Sequence, residues 1–95
     1  MIERHVTFHV NPNKGKDFEE LFVEKYRPAM ATMPGFVGVE LLREVDQAAQ
    51  YQMVIRFQSV EDAAAWRASA DHRALQPMLK ALYGESQVQV YDVIA

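Results

Sequence analysis

The chain contains no cysteine among its 95 residues. This absence excludes disulfides, thiolate nucleophiles and cysteine-ligated zinc or iron–sulfur sites, and it is compatible with a reducing compartment. Residues 1–10, MIERHVTFHV, place charges within the first four positions and lack the apolar run of a signal peptide. We therefore expect a cytoplasmic protein.

Long apolar runs and an excess of positive charge are also missing. No stretch approaches the roughly 20 apolar residues that cross a bilayer, so we expect no membrane partner. Lys and Arg number 10 against 13 Asp and Glu, which gives a net charge of −3. Nucleic-acid binding would lack its electrostatic driving force. The length and the 49% share of hydrophobic residues are typical of one globular domain, residues 1–95.

Sequence motifs for common cofactors and for a serine nucleophile are absent as well. The four glycines form neither a dinucleotide-binding fingerprint nor a phosphate-binding loop, and no G-x-S-x-G nucleophile elbow occurs. His5 and His9 lie four residues apart on a predicted strand, about 13 Å, which is too far for both to bind one metal ion. We expect no cofactor and no metal.

The hydrophobic spacing predicts the element order β-α-β-β-α-β. Ser69 and Asp71 are two capping residues, and they predict a break in the second helical region. Pro28 predicts a kink or break in the first one, and Gly84 is expected to end the last helix. The predicted elements are a strand at 2–10, a helix at 16–33, strands at 36–45 and 51–58, a helix at 60–69, a short helix from about 71 to 83, and a strand at 87–94.

This order predicts an α+β fold, a ferredoxin-like sandwich with one antiparallel sheet and both helical regions on one face. Apolar residues also occur at the opposite strand parity: Leu42, Val54, Tyr91 and Val93. Helices can cover only one face, and a large exposed apolar patch usually marks an interface. We therefore predict a homodimer joined through the second sheet face; the alternative is a monomer whose second face is merely amphipathic.

The segment AAAWRASADHRAL, residues 63–75, contains the only tryptophan, Trp66, and then His72. Small residues around a large one can leave a cavity. An indole can form the wall for a flat substrate, and a histidine can accept a proton near neutral pH. If the helix breaks at Ser69, both residues can border one cavity. The alternatives are a core tryptophan and a histidine that only caps a helix.

Polar residues are expected to share the second sheet face. His5, Thr7 and His9 alternate with the apolar residues of the first strand, and Arg56 has a compatible position. The simpler interpretation is a hydrogen-bonded polar layer within a dimer interface. The alternative is a polar site near Arg56 that could hold an anionic group of a substrate.

The segments MPGFVGVELL (33–42), YQMVIRFQS (51–59) and VEDAAAWRASADHRAL (60–75) resemble the antibiotic biosynthesis monooxygenase (ABM) type domain of the dimeric α+β barrel superfamily. The resemblance covers nearly the whole chain, although Asp71 replaces the proline that commonly precedes this histidine. It implies a dimeric fold whose members include quinol and polyketide oxygenases, haem degraders, isomerases and proteins without known activity. The haem-degrading branch has Asn, Trp and His where Thr7, Phe57 and Gln76 stand here, so we expect no haem.

The resemblance implies a small cofactor-independent monooxygenase that acts on an electron-rich phenol, quinol or enol. His72 would be the base, Trp66 the wall of the pocket, and Tyr26 or Arg56 would orient the substrate. One alternative is a non-catalytic dimer that binds a small hydrophobic molecule or only itself. Another is an isomerase or decarboxylase that uses the same pocket and base.

Overall fold

The computed structural model describes residues 1–95, and its element order is the predicted one. Four strands and four α-helices are present, with one π-helical turn between the first two helices. Their bounds are β1 Ile2–Val10, α1 Gly15–Leu21, the π-helical turn Phe22–Tyr26, α2 Arg27–Met30, β2 Phe36–Arg43, β3 Gln50–Phe57, α3 Val60–Ala68, α4 Ala70–Lys80 and β4 Tyr83–Asp92.

The strands form one antiparallel sheet in the order β2-β3-β1-β4. Val6 pairs with Met53 on one side and with Val88 on the other, so all three side chains lie on the same face. Helical and strand residues together form one apolar core against this face. The predicted ferredoxin-like α+β fold is confirmed.

Five large side chains at the centre of the core are almost completely buried. Phe18, Phe22 and Met30 come from the first helical segment, and Met53 and Phe57 come from β3. Burial of such side chains stabilises a fold by about 1.5–3 kcal/mol each. The core is therefore continuous between the first helical segment and the middle of the sheet.

The first helical segment differs from the predicted helix at 16–33, because it spans 15–30 and contains a π-helical turn. The Arg27 amide donates to the Phe22 carbonyl, five residues back. Pro28 has no amide hydrogen, so it cannot donate to Glu24. The widened turn precedes this residue and lets the helix continue through it, instead of ending there.

The last helix and strand also differ from the prediction. Helix α4 ends at Lys80, and β4 begins at Tyr83, so Gly84 lies in the strand and does not end the helix. The Leu82 carbonyl accepts a hydrogen bond from the Asn11 amide, and Tyr83 then pairs with Val10 at the end of β1. These bonds return the chain to the sheet earlier than its hydrophobic pattern suggests.

The second sheet face carries polar and apolar residues side by side. Leu42 and Tyr91 are 47% and 46% exposed, and Val54 is half-buried. Val93, expected on this face, follows the end of β4. The face therefore carries a few apolar residues on separate strands among polar ones, and it is not a continuous apolar surface.

None of the helices combines the length and the apolar character that a membrane crossing requires.

Candidate active site

A cavity of about 100 Å³ lies between the helices and the sheet. Val6, Phe8 and Ile55 contribute apolar surface from the sheet. The more exposed residues of its lining are Ser86 and Val88 on the edge strand β4, so the cavity meets solvent along that strand. Engineered cavities of roughly 150 Å³ hold benzene, so this one can enclose most of a single ring.

The predicted break between α3 and α4 is present, and Ser69 forms it. Its backbone is extended (φ −69°, ψ 155°) between the two helices. The Ser69 hydroxyl donates to the Trp66 carbonyl at 2.7 Å and accepts from the His72 amide at 3.1 Å. One side chain therefore caps the end of α3 and the start of α4, and it fixes Trp66 relative to His72.

Tyr26 reaches the same cavity from the π-helical turn. Its ring lies 5.5 Å from the Trp66 ring at 89° and 6.3 Å from the His72 ring at 60°. The Trp66 and His72 rings are 5.3 Å apart at 81°. Edge-to-face arrangements of this kind are favourable and hold rings in defined orientations. The three side chains form an aromatic wall, in which Tyr26 and Trp66 are buried and His72 is half-buried.

The surroundings of His72 favour its neutral form. Burial lowers the pKa of His72 below its ordinary value of 6.5, and the positive charges of Arg67 and Arg4 lower it further, while a contact with the Arg67 carbonyl acts in the opposite direction. A neutral imidazole can accept a proton. Burial also raises the pKa of Tyr26, so its hydroxyl stays protonated and can donate a hydrogen bond.

The sequence interpretation missed two arginines of the cavity, Arg4 on β1 and Arg67 in the last turn of α3. Strand parity offered one signal, because Arg4 is two residues from Val6 and therefore shares its inward-facing side. A charged residue at such a position is unusual unless it has a partner or lines a cavity. For Arg67, adjacency to Trp66 was the only available signal.

Arg56 lies on the opposite face of the sheet, outside the cavity. Its guanidinium donates to Glu3, which also bonds His5, and Gln52 donates to the other nitrogen of His5. The expected polar layer therefore exists on this face. His9, on the same side of β1, is exposed.

A profile of the antibiotic biosynthesis monooxygenase (ABM) family matches residues 1–78. The match includes every residue of the aromatic wall and both arginines. The chain therefore belongs to the antibiotic biosynthesis monooxygenase family. No curated protein matches the chain.

Solved structures share the fold over nearly their full length. An antibiotic biosynthesis monooxygenase-type protein from Nitrosomonas europaea is 18% identical, with complete coverage of both chains and a TM-score of 0.89. SnoaB from Streptomyces nogalater, a cofactor-independent oxygenase, is 22% identical over 99% of this chain and 93% of its own, with a TM-score of 0.88. A family protein from Bordetella bronchiseptica is 25% identical over 99% and 97%, with a TM-score of 0.86.

Proposed function

We propose that the protein is a cofactor-independent monooxygenase that acts on an electron-rich phenol, quinol or enol. The observation that carries the proposal is the position of His72, a neutral base on the wall of a cavity beside two aromatic side chains. Family membership supports this class of reaction. The structural neighbour SnoaB is described as a cofactor-independent oxygenase, which agrees with the proposal.

For a phenol with hydrogen on its reacting ring carbon, the reaction converts one phenol and one dioxygen into one quinone and one water. His72 accepts the hydroxyl proton, and the phenolate ring then forms a bond from carbon to oxygen. The resulting peroxide anion takes the proton back from His72. Loss of the ring proton and cleavage of the O–O bond give the second carbonyl and water. The ring is oxidised and supplies all the electrons that reduce dioxygen.

The other residues of the wall bind and orient the ring. Trp66 presents the indole surface against which a flat substrate can pack. Tyr26 donates a hydrogen bond to the substrate oxygen, since its hydroxyl stays protonated. Arg56, which we expected to orient the substrate, is paired with Glu3 on the opposite face, so the proposal gives that role to Tyr26.

A screen of quinols and polyphenols for oxygen consumption tests the proposal. A monooxygenase consumes one dioxygen for each substrate converted. An isomerase or decarboxylase would convert its substrate without consuming oxygen. A binding module would retain the ligand unchanged. Either of the last two results would replace the proposed reaction.

We also propose that the protein forms a homodimer through the second sheet face. Leu42, Val54 and Tyr91 supply apolar surface, and the Glu3–His5 pair supplies hydrogen-bonding groups between them. The Tyr91 ring lies 4.9 Å from the His5 ring, which gives this face a defined aromatic surface. Interfaces commonly combine an apolar patch with polar groups that stay hydrogen-bonded.

A further inference from the structure

Arg4 and Arg67 line the cavity from opposite sides: Arg4 lies on β1 of the sheet and Arg67 on helix α3. No carboxylate oxygen lies within 4.0 Å of either guanidinium. Two other arginines of the sheet, Arg43 and Arg56, are each paired with a glutamate. The two cavity arginines therefore differ from their neighbours in lacking an anionic partner.

The lining of the cavity contains no aspartate or glutamate. The positive charges of the two arginines are close enough to act on each other. Partial burial lowers the pKa of Arg4, and the charge of Arg67 lowers it further. Two guanidiniums held near each other and partly desolvated are stabilised by an anion that binds between them.

Resting on the proposed function, we propose that the substrate is a hydroxyaryl carboxylate, whose acidic group binds Arg4 and Arg67 while its ring packs against Trp66. Guanidiniums present planar pairs of donors that match the two oxygens of a carboxylate. The cavity encloses most of the ring, and the opening along β4 leaves room for the rest of the ring and for substituents outside it.

Binding of this carboxylate also changes the pKa of His72, the proposed base. In the free protein, the two arginines contribute to the lowered pKa of His72. A bound carboxylate neutralises part of that positive charge, so the pKa of His72 rises when the substrate is present. The imidazole accepts the hydroxyl proton more readily in the complex than in the free protein.

The test compares para-hydroxybenzoate with para-hydroxybenzamide, which has a similar shape but no charge. Trp66 is the only tryptophan, so its fluorescence reports binding in the cavity without any need for turnover. We expect the carboxylate to bind about tenfold more tightly, an effect of the size of one charge-assisted hydrogen bond. Equal binding, tighter binding of the amide, or no binding of either probe at millimolar concentration would overturn the proposal.

Variants of the arginines test whether the preference for the carboxylate probe comes from Arg4 and Arg67. Arg4→Gln and Arg67→Gln should each reduce the preference for the carboxylate, and Arg4→Lys should retain part of it because the charge remains. Arg73→Gln is the matched control, since Arg73 is exposed on α4 and outside the cavity lining. A preference that survives in the Arg4 and Arg67 variants, or that is lost in the control, would overturn the assignment.

Binding and oxygen consumption separate the two proposals. A carboxylate preference without oxygen consumption by any phenol supports the anion site and contradicts the monooxygenase. Oxygen consumption that is equally fast with neutral and carboxylated phenols supports the monooxygenase and contradicts the anion site.

Discussion

The rings of Trp66 and His72 are 5.3 Å apart and nearly perpendicular, and the hydroxyl of Ser69 bonds to the backbone of both residues. In a continuous helix, residues six positions apart would point about 120° away from each other. The extended backbone at Ser69 changes this direction and brings both side chains to one cavity. The geometry of the candidate site therefore depends on one capping residue.

Replacement of Ser69 by Ala should lower the free energy of unfolding by about 1 kcal/mol, the usual effect of removing an N-cap. It should also move His72 relative to Trp66. Ser59→Ala is the matched control, because Ser59 caps α3 in the same way through the Asp62 amide but bonds neither Trp66 nor His72.

Urea unfolding measures the stability of both variants, and NMR of the His72 ring measures its position. We expect similar losses of stability and a change of the His72 resonances in Ser69→Ala alone. Unchanged His72 resonances in that variant would show that Ser69 does not position the histidine.

The lowered pKa of His72 predicts the pH dependence of both activity and stability. The base works when neutral, so kcat/KM, which reports the free protein, should fall as the pH drops through the pKa of His72, below 6.5. Because the folded-state pKa is lowered, the contribution of His72 to stability is complete above the unfolded value of 6.5. It is lost as the pH falls through the folded-state pKa.

An NMR titration of the His72 ring gives the pKa directly, with His72→Gln to assign the resonance. Urea unfolding across the same pH range should show that the free energy of unfolding falls less with decreasing pH in His72→Gln than in the wild type. A His72 pKa above 6.5 would contradict the burial and charge effects described for the cavity.

Sedimentation at micromolar concentration should report about twice the chain mass of 10.9 kDa. Val54→Asp should shift the protein toward the monomer, because the new carboxylate would be desolvated in the interface without a partner. Val45→Asp is the control, since Val45 is 95% exposed in the loop between β2 and β3. A wild-type monomer would contradict the proposed dimer.

Gly35 precedes β2 with φ at +78°, a conformation that other residues rarely adopt. A Cβ at this position would also clash with the Asp62 side chain in the first turn of α3. We expect Gly35→Ala to lower the free energy of unfolding by roughly 1–2 kcal/mol or more. Gly38→Ala, where the added Cβ meets no atom within 4 Å, should have a smaller effect. Equal losses in urea unfolding would contradict this explanation.

The sequence predicted the fold well, because period-two alternation in the strands and capping residues at Ser59 and Ser69 are local signals. It did not predict the π-helical turn, since Pro28 excludes one hydrogen bond but does not specify how the helix adapts. The early start of β4 depends on pairing with Val10, a contact distant in sequence.

The candidate site was predicted only in part, because local signals can be recognised in the sequence and contacts between distant residues cannot. Trp66 and His72 are linked by a local break, whereas Arg4 reaches them from a strand more than sixty residues earlier in the chain. Strand parity placed Arg56 on the second sheet face, because it follows the inward-facing Ile55. The same parity excludes Arg56 from the cavity between the helices and the sheet.

The most direct test of the account is the fate of labelled dioxygen with wild-type protein and His72→Gln, using a phenol found in the oxygen-consumption screen. We predict that one labelled atom enters the quinone and that His72→Gln lowers turnover by about 10²–10⁴-fold. His9→Gln, which alters an exposed histidine on the opposite face, should keep the wild-type rate. Unlabelled product, or equal rates in wild type and His72→Gln, would contradict His72-dependent monooxygenation.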